Sequence, residues 1–424
     1  MFEAFIQKTK LVLGDSTLVR RILFVVGILV VFRLLAVIPI PGVDTLRLAE
    51  FFSRNQFFGL LNLFSGGGLS TLSIVMLGVG PYITASIIMQ VMTIIVPSLK
   101  KMLQEEGEAG RRTFTQYSRL LSVPMAFIQG WGFLALLSRQ GAIGVLSTEQ
   151  LIINLFVIVA GSVLLMWIGE LISEYGIGNG VSLIIFAGIV AQIPTVVSQT
   201  LFTFDISQLP IYLGFLVLAI VITAGTVYVS EAERPLPVTY ARRVRGMKMY
   251  GGVATYLPIR LNQAGVIPII FALSILLFPQ MIGSFLLALK YSLAQTVGTF
   301  LISVFTNNWV YGVTYFVFVF LFTYFYTAVT FDPEMIATNL QKNGAFIPGV
   351  RPGQSTAEYL GRIVNRITLF GALFLGVIAI LPIVMQGITG LQTLALGGTA
   401  LLIVVSVVLD LIKKINAQIS LREY

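Results

Sequence analysis

The sequence predicts an all-α polytopic membrane protein with ten transmembrane helices. Of its 424 residues, 57% are hydrophobic and only 11% are charged, against roughly 45–50% and about 25% in soluble globular chains. The apolar residues gather in runs of about 20, the length that crosses a bilayer as a helix. These runs lack the alternation of barrel strands. The chain also has no Cys and no His. That removes disulfides, Cys/His metal sites and any Ser–His or Cys–His nucleophile. Of Asp15, Asp44, Asp205, Asp332 and Asp410, only Asp410 touches an apolar run, so a paired-Asp intramembrane protease is disfavoured. No catalytic residue, metal site or cofactor is expected.

The first span runs from Ile22 to Ile40, after Arg20 and Arg21, and closes on Pro39-Ile40-Pro41-Gly42. It is too long for a signal-peptide core and lacks a small-residue cleavage site, so it reads as a retained span. Nine further runs follow, at about 73–96, 115–137, 150–172, 181–200, 211–230, 264–285, 309–330, 363–385 and 393–412. Ten spans return both termini to one side. Five spans per half make the second half enter from the opposite face, the inverted-repeat plan common in membrane transport proteins. The halves are residues 1–200 and 201–424.

Charge sets the orientation. Most of the 27 Lys and Arg fall on the side of the termini and of the loops 97–114, 173–180, 231–263 and 331–362. Only Arg47, Arg54, Arg139 and Lys290 fall on the other, while Arg33, Arg119 and Arg366 lie within or beside spans. By the positive-inside rule both termini face the cytoplasm. The loops 231–263 and 331–362 are about 30 residues long and basic at their tips. Their charge either fixes topology alone or forms a docking surface for a cytosolic partner.

Three further features lie within the membrane region. The segment Phe57–Phe64 is apolar but too short to span, and Gly66-Gly67-Gly68 ends it. It reads as a re-entrant helix entering a pathway or as an interfacial helix. Arg33 lies near the middle of the first span, where an Arg faces a bundle interior or a cavity; carbonyls of neighbouring helices are its expected partners. Thr84, Ser86, Gln90, Gln129 and Asn262 are isolated neutral polar residues in apolar surroundings. In lipid such groups form interhelical hydrogen bonds of roughly 0.6–2 kcal/mol, weak enough for a contact that opens. No convincing set of buried carboxylates suits an ion-coupled carrier, so an inverted-repeat secondary transporter of small solutes is the alternative reading.

Two stretches are more specific. They are Ser73–Met92, with Gly78-Val79-Gly80-Pro81 and Gln90, and Trp167–Ile185, with Glu170, Ser173, Gly176, Gly178-Asn179-Gly180 and Ser182. Both resemble the signature segments of the SecY family, the pore subunit of the bacterial protein-translocation channel. Pro39–Gly42, Gly344–Gly353 and Gly397–Thr399 resemble bacterial members too, and the likeness runs over all ten spans.

The resemblance implies two inverted five-helix halves around a central pore. By matching motifs, the pore ring falls on Val79, Ile83, Ile185, Ile270 and Ile403, an apolar constriction of the kind that gates by dewetting. The plug falls on residues 57–70, with Leu60, Leu61, Asn62, Leu63, Phe64, Ser65, Gly66, Gly67 and Gly68 at its heart. Thr84, Gln129 and Asn262 match a polar cluster at a lateral gate between the second, third and seventh spans. Arg242, Arg243, Arg245 and Arg351 match loop tips that contact a motor or ribosome. The implied function is a protein-conducting channel of the bacterial plasma (inner) membrane. It passes unfolded preproteins across and releases membrane segments into the lipid bilayer, recognising signal sequences. The implied partners are small subunits resembling SecE and SecG, an ATPase resembling SecA, and the ribosome.

Overall fold

The computed structural model describes residues 14–41, 67–69, 71–139, 141, 143–144, 147–202, 209–240, 243–245, 248–250, 254–288, 291–389 and 392–420. In chain order the helices of the first half are α1 (Ser16–Leu35), α2 (Gly80–Ile95), α3 (Pro97–Gln104), α4 (Gly107–Arg139), α5 (Thr148–Tyr175) and α6 (Gly180–Phe202). After α7 (Leu209–Glu231) come four strands, β1 (Glu233–Tyr240), β2 (Arg243–Arg245), β3 (Lys248–Tyr250) and β4 (Ala254–Arg260). Then follow α8 (Ile267–Ala288), α9 (Ser292–Thr306), α10 (Asn308–Thr330), α11 (Pro333–Lys342), β5 (Ala345–Phe346), α12 (Gln354–Thr389) and α13 (Gln392–Ser420).

Local chemistry sets the helix ends. Asp15 caps α1 by accepting from the Thr17 and Leu18 N–H groups. Ser147 and Gln150 form a reciprocal capping box at the start of α5. Val96 is extended because Pro97 follows it, and the chain bends by 115° between α2 and α3. Pro124, Pro194, Pro279 and Pro382 lie inside α4, α6, α8 and α12, as membrane helices tolerate.

Five described helices are long and apolar enough to cross a membrane, or six if the bent α2–α3 pair forms one span. The rest of the ten expected spans meet α1, which carries Arg20, Arg21 and Arg33, then α6, α8 and α13. Pro194 lies inside α6 and Pro279 inside α8. Leu213, Leu216, Val217, Ile220 and Val221 of α7 are exposed, a surface suited to lipid rather than water.

The main core gathers residues of α1, α2, α5, α6, α7, α8, α10, α12 and α13. A second core joins Ile40, Leu69, Leu72 and Met76 to α4 and α5.

The all-α expectation omitted one unit. The loops expected at 231–263 and 331–362 fold together. Antiparallel β1 and β4 pair from Glu233↔Arg260 to Thr239↔Ala254, and β5 joins β1 at Thr239↔Phe346 and Tyr240↔Ala345. Leu236, Val238, Ile259 and Ile347 pack onto Leu360, Ile363, Val364 and Ile367 of α12. Two sequence-distant loops thus form one platform standing on a membrane helix.

Candidate functional site: an apolar constriction and a hydrogen-bonded seam

Val79, Ile83, Ile185, Ile270 and Ile403 come from α2, α6, α8 and α13, and all lie in the main core with at most 8% exposure. Val79 caps α2, and its carbonyl accepts from the Ile83 N–H at 3.0 Å.

A cavity of about 240 Å³ lies on one side of this group. Its lining includes Ser182 and Leu183 of α6, Val266 and Ile267 at the start of α8, and Ser406 and Val407 of α13. Each pair lies two to four residues, within about one helical turn, from Ile185, Ile270 or Ile403. Three helices from different parts of the chain therefore meet the cavity at one level and the isoleucines at the next. Asn179, Asn262, Gln263, Asp410 and Lys414 add polar surface. A partly polar cavity thus lies about one helical turn from buried isoleucines of three helices.

Beside it, α2 packs on α4, and α8 packs on both. The Gln129 Nε2 donates to Thr84 Oγ1 at 3.2 Å, joining α4 to α2, and both residues are buried. On its far side α4 meets α5, where the Arg119 Nε donates to Glu170 Oε1 at 2.5 Å. Ser86 and Gln90 bond to each other along α2 at 3.3 Å and not across the seam.

A family model described as SecY matches residues 73–412. The chain belongs to the SecY family. It is 41% identical to the protein translocase subunit SecY of Mycobacterium tuberculosis, with 100% of this chain and 99% of the relative covered. It is 44% identical to that of Thermus thermophilus, over 96% and 93%. A solved structure described as a protein conducting channel superposes with a TM-score of 0.64 at 19% identity, covering 93% of this chain and 91% of that one. Sec61 in the canine ribosome–channel complex gives 0.61 at 18%, covering the same shares. At such identity these likenesses show the fold.

The second SecY signature forms the α5–α6 junction. Ser173 Oγ donates to the Gly169 carbonyl and accepts the Gly180 N–H at 2.8 Å, while Asn179 Oδ1 accepts from the Ser182 N–H. A Cβ on Gly180 would stand 1.9 Å from the Gly169 oxygen, so only glycine fits this approach. The first signature is helical only from Gly80; residues 73–79 form turns, because Pro81 suits the first turn of a helix.

Two expectations change. Asn262 precedes α8 and donates to the Gly265 carbonyl at 3.3 Å. Its buried Oδ1 has no protein partner and belongs to the cavity lining. It does not complete a three-way cluster with Thr84 and Gln129, because the turn at Gly265, with φ +61°, folds Asn262 onto its own loop. Arg33 lies in the last turn of α1, where a cation also meets the negative end of the helix dipole. Glu170, assigned no role from sequence, holds α4 to α5.

Of the expected plug, Leu60, Leu61, Asn62, Leu63, Phe64, Ser65 and Gly66 lie outside the described residues, while Gly67 and Gly68 form a buried turn. Arg242 also lies outside them, and Arg243 and Arg245 fall on β2. Arg351 is exposed in a turn pinned by Val350 N–H to the Ile347 carbonyl and by Thr356 Oγ1 to the Arg351 carbonyl. Sequence reasoning missed Asn154 and Ser162, which donate from α5 to the Pro41 and Gly78 carbonyls. Their signal was the one used elsewhere, a lone polar residue in an apolar run.

Proposed function

We propose that this bacterial membrane protein is a protein-conducting channel, carrying unfolded preproteins across the plasma membrane and releasing apolar segments through the α2/α4/α8 seam. The observation that carries this reading is the polar cavity one turn from the isoleucines of three helices. A pathway for varied sequences needs a wet entrance and a seal that makes no specific bonds, and an apolar ring dewets when empty. Val79, Ile83, Ile185, Ile270 and Ile403 form that ring, and the segment around residues 57–70 is the plug. Ten spans in two inverted halves, residues 1–200 and 201–424, enclose the pore, with both termini cytoplasmic. Thr84 and Gln129 hold the gate shut, and Asn262 faces the entrance.

The channel performs no bond chemistry, so a partner supplies the energy. The platform of β1, β4 and β5 presents Arg351, with Arg242, Arg243 and Arg245 on the same insertion, to a motor ATPase or a ribosome. Small subunits resembling SecE and SecG brace the halves. A planar, always-charged guanidinium on a rigid turn suits carboxylates or phosphates. Arg351→Glu is expected to leave insertion and abundance intact while sharply reducing ATP-driven import into vesicles, with Arg351→Lys intermediate.

The native chain lacks Cys, so single cysteines report cleanly. With a precursor stalled in transit, cysteines at Ile83 and Ile185 should cross-link to it, whereas one at the exposed Val217 of α7 should not. Equal labelling at all three positions, or none at the ring, would remove the pathway from this position.

A further inference from the structure

The helix α9 is not among the ten expected spans, and its three sides differ. One side grips α8. A Cβ on Gly283 would stand 2.9 Å from Ile302 Cγ1, and one on Gly298 would stand 2.7 Å from the Gly283 oxygen and 3.1 Å from Leu287 N. Residue 287 thus meets 298 and residue 283 meets 302, so α9 folds back antiparallel on α8. Phe305, on the same side as Gly298 and Ile302, packs on the main core. A second side carries Ser292, Thr296, Thr299 and Ser303. Three of these hydroxyls donate within the helix: Thr296 to the Ser292 carbonyl at 3.0 Å, Thr299 to that of Gln295, and Ser303 to that of Phe300 at 2.9 Å. Bonded to their own helix, they ask little of water.

The third side is Leu293, Val297 and Phe300, spaced four and three so that they form one stripe. They are 83%, 49% and 65% exposed. Large apolar side chains grouped in this way mark a contact surface. No charge tempers them, because the sequence from Tyr291 to Phe331 contains no Asp, Glu, Lys or Arg. The exposed apolar surface resumes directly after α9, at Val310, Val313, Val317 and Leu321. These lie along one stripe of α10, a helix long and apolar enough to cross a membrane. Tyr291 and Trp309 flank α9 and are both exposed, and such rings favour the membrane–water boundary. In chain order α8 leads away from the platform and α10 returns to it, so α9 joins their far ends. Its 15 residues extend about 22 Å, short of the roughly 30 Å of a hydrocarbon core.

We propose that α9 is an interfacial helix seated in the bilayer leaflet away from the platform, with Leu293, Val297 and Phe300 against acyl chains. This rests on the membrane topology proposed above. The occupant is lipid because the stripe continues the exposed face of a membrane-crossing helix and carries no charge to select a protein partner. An amphipathic helix lies in this way because its apolar stripe gains by leaving water while its polar side stays at the boundary. Since α9 grips α8 through Gly283 and Gly298, the same leaflet holds the far end of α8, a helix of the proposed gate.

The chain has no Cys, so nitroxide labels on single cysteines can read each side of α9 in the full channel complex in lipid vesicles. Labels at Val297 and Phe300 should collide often with oxygen, which dissolves in lipid, and rarely with a water-soluble nickel chelate, matching a label at Val313 of α10. A label at Thr296 should meet more nickel, and equal values at Thr296 and Val297 contradict the seating. High nickel contact at Val297 and Phe300, with Val313 still in lipid, overturns the proposal and puts α9 in water. Low contact with both reagents also overturns it and makes a protein the occupant. High nickel contact at Val313 as well removes the topology on which the proposal rests, and the proposal with it. The hold on α8 has its own readout. Replacing Leu293, Val297 and Phe300 together by Ser should free α9 from the leaflet, and a label at Ile282, exposed on α8, should gain mobility. An unchanged spectrum at Ile282 contradicts the hold.

Discussion

The α5–α6 junction and the α2–α4 seam are both contacts between neighbouring helices, and they are built in opposite ways. At the junction, backbone meets backbone: the missing Gly180 side chain lets the Gly169 carbonyl approach, and Ser173 and Asn179 bond the intervening turn at both ends. At the seam, one neutral hydrogen bond between Gln129 and Thr84 joins side chains across an otherwise apolar contact. The first contact cannot loosen by degrees, because separating it strips several backbone groups of their partners at once. The second gives up roughly 0.6–2 kcal/mol when it parts. A lateral gate of the kind proposed above needs both kinds of contact.

Substitutions sharpen that contrast. Gly180→Val drives a branched side chain into the Gly169 oxygen and should destabilise the fold by about 3 kcal/mol or more, read as loss of protease-resistant protein from membranes. Next in size, Gln129→Ala removes the seam bond but keeps the helices. It should shift the closed-to-open ratio by about threefold to thirtyfold, read as faster lateral release of a marginally apolar segment with abundance unchanged. If Gly180→Val were tolerated while Gln129→Ala abolished folding, the assignment of rigid and yielding contacts would be reversed. Arg119→Ala should have the smallest effect. The ion pair with Glu170 is 44% exposed on the arginine side, and such pairs contribute under about 1 kcal/mol. A small fall in thermal stability with normal transport is expected.

Much of the bundle is legible in the sequence because a bilayer forces length and apolarity onto every crossing helix. The expected 150–172, 211–230 and 309–330 fall within α5, α7 and α10. Less legible is whatever tertiary contact decides. The helix α9, with 15 residues, is too short for a span criterion and packs back on α8. The strand β1 carries Pro235 and Pro237, which argue against a strand from sequence alone. They sit two apart and so aim their donor-less nitrogens at one edge, which β5 covers only at Thr239 and Tyr240. Of the site, the five apolar positions share one core, and Thr84 with Gln129 form a bonded pair. Asn262 departs, because a turn at Gly265 redirects it. Such a turn leaves no periodic trace in the sequence.

The central claim is that the constriction seals by being apolar and not by any specific bond. Its most direct measurement is the resting ion conductance of purified channels in planar bilayers when Ile83, Ile185, Ile270 and Ile403 are replaced together by Ser. Hydroxyls at this level hold water, so conductance should rise well above that of the unmodified channel, and a quadruple Leu variant should stay tight. A quadruple Ser variant as tight as the unmodified channel would contradict the claim and place the barrier elsewhere.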